Sequence, residues 1–339
     1  MRILLITAPA GDRLSTHWSK LLNDAFLALQ QQHAEHEWII APGSPLPGMF
    51  SFVQRNRQVR AIRQQHPSVV LYASPGNMLR IKDIPVVTFI SNEPDKRSLK
   101  KLAAAGIITD SPSLKDHLLR ALHVPSQQVQ LVSLVNDALP PMDQHQKLLV
   151  HERLTTGKEY FFYGGHIGSD GIWERVLQGF SGFKKWQQSG LQLVLGGQIQ
   201  PSYQVIFQEK LDAYRYKHEV ICASHLSGAD KEQLAAAAFA CLQPGHSFDD
   251  RMQILHAFRS SVPVIGEKHR LTEELAADAM LYADWTKGSL LSQQIIALYK
   301  DENLYNQLVE KGSRIAEERT WRQSLHQLHN SLMVLSKNL

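Results

Sequence analysis

Short apolar runs, each closed by glycine, proline or a small polar residue, recur along this chain and alternate with stretches of helical period. That rhythm predicts strands over 2–7, 37–40, 69–72, 85–90, 106–109 and 129–134, with helices over 16–31 and 55–65. In the first helix Trp18, Leu21, Leu22, Ala25, Phe26 and Leu29 share one face. Asp110-Ser111-Pro112-Ser113 reads as a helix start, because a hydroxyl can cap orphan amides and proline suits the first turn. The pattern fades over 140–158, where Pro140-Pro141-Met142-Asp143-Gln144-His145-Gln146 reads as a linker or domain boundary. It restarts with strands over 160–164, 191–196, 218–222, 239–242 and 262–265. Helices over 172–187, 201–215, 230–236 and 250–259 lie between and after them. A last strand over 280–282 precedes a long helical tail, 287–335.

Strands alternating with helices predict parallel, doubly wound sheets, since a parallel crossover needs a helix to return the chain. The chain has 339 residues. That is long for one core, and the two alternating halves predict two domains. No residue-level repeat, coiled coil or low-complexity segment interrupts them.

Charge adds one refinement. Residues 1–150 carry 16 Lys/Arg against 11 Asp/Glu, leaving 20 against 21 in the remainder of the 36 and 32. Arg55, Arg57, Arg60 and Arg63, with Lys96, Arg97, Lys100 and Lys101, make two basic clusters in that first half. They read either as a solvated face or as a surface for anionic headgroups or acceptors. Aromatic interleaving is absent from them, so no nucleic-acid partner is expected. Cys222 and Cys241 sit in apolar surroundings and are expected to be free thiols of a reducing compartment. No run approaches the ~20 apolar residues of a membrane span. The expected location is cytoplasmic, with peripheral contact at the cytoplasmic membrane face as an extension.

Candidate chemistry concentrates at strand ends in the stretch 161–264. Phe161-Phe162-Tyr163 runs into Gly164-Gly165-His166-Ile167-Gly168-Ser169-Asp170-Gly171, and Leu193-Val194-Leu195 into Gly196-Gly197. Pro244-Gly245-His246-Ser247-Phe248-Asp249-Asp250 follows another strand and precedes a helix. Loops of this kind offer free amides and a helix dipole to a phosphate. Asp249 and Asp250 read alternatively as N-caps of the following helix. Gly11, after the first strand, reads as a ligand approach or an ordinary turn. No G-x-G-x-x-G, P-loop, H-E-x-x-H, C-x-x-C or Ser-His-Asp order is present. His33 and His36 read as a solvated helix end, and no histidine spacing suggests a metal, so none is expected.

At these residues the chain resembles a family. The two α/β halves look like the GT-B glycosyltransferase fold, and the second half resembles the retaining glycosyltransferase family 4, also called glycosyl transferases group 1. The matching marks are Tyr163-Gly164-Gly165-His166-Ile167, residues 193–197, Cys241-Leu242-Gln243-Pro244, and Ala257-Phe258 followed by Val262-Pro263-Val264-Ile265. Val135-Asn136-Asp137-Ala138-Leu139-Pro140-Pro141 resembles the family's domain-junction segment, and Thr320-Trp321 the start of its returning C-terminal helix. The chain departs from the pattern at the charges. His166 and Asp170 stand where the family has Arg and Lys, and Phe248 and His256 where it has two glutamates. Lys268, His269 and Arg270 replace a glycine pair in the next loop.

The resemblance implies two Rossmann-like domains facing a cleft, with a C-terminal helix crossing back to the first. The expected divisions are 1–142 (acceptor domain), 158–318 (nucleotide-sugar domain) and 319–339 (returning helix). The expected donor-binding residues are Gly164, Gly165, His166, Gly197, His246, Ser247, Phe248, Asp249 and Asp250, with Gly11 and Asn92 on the acceptor side. The implied activity is metal-independent, retaining transfer of a hexosyl-type sugar from a nucleotide diphosphate sugar, with no cofactor. The acceptor would be a glycan, a protein or a lipid-linked molecule. The alternative is a non-catalytic GT-B binding module or partner subunit of an active glycosyltransferase. A sugar-nucleotide epimerase of similar architecture is a third reading.

Overall fold

The computed structural model describes residues 1–7, 16–43, 51–135 and 140–338. Its internal contacts divide the chain into unit 1, Met1–Asn136 with Arg319–Leu339, and unit 2, Asp137–Glu318.

Unit 1 is built on β1 (Arg2–Ile6), α1 (Thr16–Gln32), β2 (Glu37–Ala41), α2 (Ser51–Gln64), β3 (Val69–Tyr72), β4 (Val86–Ile90), α3 (Lys96–Leu102), β5 (Gly106–Thr109), α4 (Pro112–Leu122) and β6 (Val129–Leu131). The six strands form one parallel sheet in the order β2-β1-β3-β4-β5-β6. Strands β3, β4 and β5 are buried at every position. That is the state their unbroken apolar runs require, with both faces covered. Leu4, Val70, Tyr72, Ile107, Leu114 and Leu118 belong to one core cluster of this unit.

Unit 2 begins with α5 (Gln144–Leu154) and continues through β7 (Tyr160–Tyr163), α6 (Ile172–Trp186), β8 (Gln192–Leu195), α7 (Gln204–Asp212), β9 (Val220–Cys222), α8 (Gly228–Ala236), β10 (Ala240–Gln243), α9 (Phe248–Arg259), β11 (Val264–Glu267), α10 (Arg270–Ala276), β12 (Leu281–Ala283), α11 (Gly288–Lys300) and α12 (Glu302–Glu317). Its parallel sheet runs β12-β11-β10-β7-β8-β9. Renumbered within the unit, that is the Rossmann order 3-2-1-4-5-6, whereas unit 1 has the 2-1-3-4-5 order extended by one strand. Aromatic rings fill the space between the unit 2 sheet and its helices. Phe161 on β7 meets Phe183 of α6 edge-on at 5.3 Å, and Trp173 meets Phe207 at 4.9 Å.

The final helix, α13 (Trp321–Asn338), belongs to unit 1. The Ser324 hydroxyl donates to the Ser133 carbonyl at 2.7 Å and accepts the Val135 amide at 3.0 Å. Gln327 accepts the Ser133 amide at 3.0 Å. These bonds satisfy backbone groups beyond the last strand of the sheet, which β6 leaves without a neighbouring strand.

Two expectations are corrected. Residues 140–158 contain helix α5, opened by a capping box between Asp143 and Gln146. Its Leu148 and Leu149 are both exposed, so no clean apolar stripe announced it. The tail is three helices, cut where Asp301 caps α12 and Thr320 caps α13. The basic run from Lys96 is helix α3, started by Asp95, whose carboxylate accepts the Ser98 amide at 2.7 Å. Gly11 and residues 136–139 lie outside the described residues.

Candidate functional site

In unit 2 the strand order reverses between β7 and β10, so the loops leaving their carboxyl ends diverge to opposite faces of the sheet. A crevice at such a reversal is where open α/β sheets bind ligands. Gly164-Gly165-His166 leave β7 there, and Pro244-Gly245-His246-Ser247 leave β10. The neighbouring strands add Gly196-Gly197 after β8 and Lys268-His269 after β11.

The loops are locked together by their own packing. A Cβ at Gly197 would stand 1.7 Å from the Gly165 carbonyl oxygen, so these two turns touch backbone to backbone. Gly245 has φ +80, a conformation that a side chain disfavours, and a Cβ there would lie 2.1 Å from Thr272. The Gln243 side-chain amide donates to Gln253 Oε1 at 2.7 Å, and Gln253 donates to the Gly164 carbonyl at 3.3 Å. Gln243 is fully buried and its Oε1 has no partner, an orphaned acceptor at the end of β10. The Tyr163 hydroxyl donates to the His166 carbonyl at 2.9 Å and fixes the first turn after β7.

The charged groups sit on that frame. His246 Nε2 lies 2.8 Å from Glu267 Oε2 at the end of β11. Its hydrogen bond to the Glu267 carboxylate raises the imidazole pKa above its ordinary 6.5, against the opposing effect of burial. His269 stands 5.7 Å away, ring to ring. Its pKa is lowered, first by burial and then by the charges of His246 and Arg251. Two imidazoles with proton affinities shifted in opposite directions thus share the mouth of β10 and β11, and His246 is the one that holds its proton more tightly. Lys268 pairs with Glu273 at 3.6 Å.

The expected donor residues differ in their exposure, with Ser247 and Asp249 half-buried. His166 is exposed, and His246 keeps 44% of its side chain accessible beside the loop of Gly245. Gly164, Gly165 and Gly197 form the floor. Phe248 and Asp250 are buried within α9. Ser247, not Asp249 or Asp250, is the N-cap of α9; its hydroxyl accepts the Asp250 amide, and the Asp250 carboxylate accepts the Ser247 amide, both at 3.0 Å. Burial raises the Asp250 pKa while these bonds oppose it. Asp170 accepts the Ile172 amide at 3.1 Å at the start of α6, whose N-cap Gly171 offers no side chain. On the acceptor side, Asn92 follows the carboxyl end of β4 in unit 1.

Sequence reasoning missed Gln243, Gln253 and Glu267. A polar residue ending an otherwise apolar strand is the available signal for Gln243 and Glu267. Gln253 is visible only in three dimensions, where α9 brings it over Gly164. A cavity of about 440 Å³ lies beside β12 and α12, lined by Met280, Tyr282, Leu308 and Lys311. A second, of about 720 Å³, lies against α5, lined by Met142, Leu149, Val150 and Arg153. The first touches the strand-end loops only through Lys268, the second is not lined by them, and Arg153 is already paired with Asp230 at 3.2 Å.

No protein-family model matches the sequence, and no curated protein matches it. Solved structures match its fold along nearly the whole length. The structure of HepE from Anabaena in complex with UDP and glucose is similar at TM-score 0.76 and 14% identity, covering 98% of this chain and 99% of that one. Sucrose-phosphate synthase from Thermosynechococcus elongatus gives 0.77 and 14%, with both chains covered at 100%. A putative UDP-N-acetylglucosamine 2-epimerase from Listeria monocytogenes gives 0.65 and 11%, covering 93% and 94%. The chain therefore has the two-domain GT-B fold. No helix among the described residues is long and apolar enough to cross a membrane.

Proposed function

We propose that unit 2 binds a nucleotide diphosphate sugar at the ends of β7, β10 and β11, and that the chain is a glycosyltransferase of the family 4 type. The observation that carries this reading is the His246–Glu267 pair at the strand-order reversal. A histidine that holds its proton more tightly, set among glycine-rich strand-end turns, is a device for holding a diphosphate. HepE, of the same fold, carries UDP and glucose in its structure, which supports a uridine nucleotide as the first probe.

Leaving of the nucleoside diphosphate develops negative charge, and preorganised donors stabilise it. In this chain His246 and the amides of the Gly164 and Gly245 loops are the donors assigned to that role. The transfer proceeds with retention, without a metal, to an acceptor recognised by unit 1, whose α2 exposes Arg55, Arg57, Arg60 and Arg63. That face suits anionic or lipid-linked acceptors and peripheral contact with a cytoplasmic membrane surface.

A second reading has its own observation. Asp170 is spent on the Ile172 amide, and Phe248 is buried where the family carries an acid. Both favour a GT-B module that binds a nucleotide sugar without turning it over, alone or as partner subunit of an active enzyme. Calorimetry with UDP, UDP-glucose and UDP-N-acetylglucosamine, paired with an assay for released nucleotide, separates these readings. Binding with release supports the transferase. Binding without release across an acceptor panel supports the module. No binding of any nucleotide sugar rejects both.

A further inference from the structure

The α1–β2 turn of unit 1 carries His33, Glu35 and His36, and α13 brings His329 against it. His33 Nδ1 lies 3.1 Å from Glu35 Oε1, and His36 Nε2 lies 3.9 Å from the same oxygen. The His33 and His329 rings stack at 3.7 Å with 2° between their planes. One ligand atom each from His33, Glu35 and His329 falls within a 4.8 Å set. His329 Nε2 is buried without a hydrogen-bond partner, as is His36 Nδ1. Buried imidazole nitrogens are normally satisfied, so two orphans in one cluster need an explanation.

We propose that His33, Glu35 and His329 bind a divalent transition-metal ion of the zinc type, with His36 available as a further ligand, and that the ion fastens the C-terminal helix to unit 1. Two imidazoles and a carboxylate are a donor set that suits zinc, and three protein ligands leave a position for water. At metal–ligand distances of about 2.0–2.2 Å, tetrahedral ligand atoms stand roughly 3.3 Å apart. His33 and Glu35 already meet that spacing; His329 has to approach. Parallel rings cannot both point in-plane at one ion, so one ring must turn about its Cβ–Cγ bond. For His329 that turn breaks no bond at Nε2, the atom that would gain a ligand.

The backbone beneath the cluster is already fixed. The His33 carbonyl accepts the His36 amide at 3.0 Å and the Trp38 indole N–H at 3.3 Å. Trp38 in turn packs edge-on against Phe26 of α1 at 5.1 Å. Held ligand loops are what make a surface site selective. Sequence spacing could not reveal this cluster, because its fourth member comes from the other end of the chain.

The test uses the full chain after chelator treatment. Zinc is titrated by calorimetry, with cobalt as a spectroscopic probe of ligand field. The expected result is one high-affinity ion per chain, a rise in Tm with zinc, and slower hydrogen exchange along α13. His329→Ala should weaken zinc by at least about tenfold and remove the Tm rise. Glu35→Gln, at an exposed position that the fold does not need, should weaken it in the same direction. His326→Ala, elsewhere on α13, should leave zinc binding unchanged. Equal affinity in the wild type and both ligand variants, or no binding at low-micromolar zinc, would overturn the proposal.

Discussion

The two units are built from the same parts, and among the described residues they finish the strands at their order reversals differently. Each is a six-stranded parallel sheet with helices on its faces. In unit 1 the order reverses between β1 and β3, where Ser74 follows β3; residues 8–15 lie outside the described residues. In unit 2 the reversal is flanked by the buried Gln243 bonded to the half-buried Gln253, a His–Glu ion pair and two glycine turns in backbone contact. A sheet alone creates the crevice; what fills its edge decides whether it can hold an anion. Unit 2 spends buried polar groups there, which burial makes costly unless they are bonded or used.

The most severe way to break this contrast is through the core beneath it. Phe161→Ala should cost about 3–5 kcal/mol, because a fully buried ring is replaced by a cavity. Chemical denaturation reads this directly, and nucleotide binding should fall with it. Gly197→Ala should cost roughly 1–3 kcal/mol, because its Cβ collides with the Gly165 backbone and the two turns must separate. Its effect on nucleotide affinity should exceed its effect on stability.

These two positions also show what the sequence carried. Phe161 was legible as core because β7 is a short apolar run, and the glycines marked where that run ended. The alternation of such runs was enough for two doubly wound sheets, while the returning helix was expected only from the family resemblance at Thr320-Trp321. Pair geometry was not legible. Nothing in the spacing of Gln243, Gln253 and Gly164 shows that one amide bridges the other two, because the link depends on how α9 crosses β10. Helix α5 was hidden for a different reason: its stripe is weak, and only Asp143 and Gln146 signal its start. The acidic pair after His246 was read as donor-site residues or alternatively as N-caps, whereas the cap is Ser247, two residues before Asp249.

Smaller effects sharpen the comparison at the site itself. His246→Ala should weaken UDP binding about tenfold or more, the worth of one charge-assisted hydrogen bond. Arg60→Ala, on the exposed face of α2, should leave UDP affinity unchanged. Binding should also depend on pH. His246 has a raised pKa, so its charge is fully present below the unfolded value of 6.5 and is lost as pH rises through the higher folded value. UDP affinity should therefore fall across that window. Glu267→Gln should move the fall to lower pH, because the partner that holds the proton is gone. The neighbouring groups Asp250, Asp170, His269 and Arg251 remain in both proteins, so the shift reports on Glu267. Last, Ser247→Ala should cost about 1 kcal/mol through loss of the α9 cap.

Hydrogen exchange with and without UDP-glucose tests the difference between the two units most directly. The account predicts slowed exchange in residues 164–168, 196–198 and 244–250, with the strands of unit 1 unchanged. Protection confined to unit 1, or no protection anywhere at saturating nucleotide sugar, would contradict it.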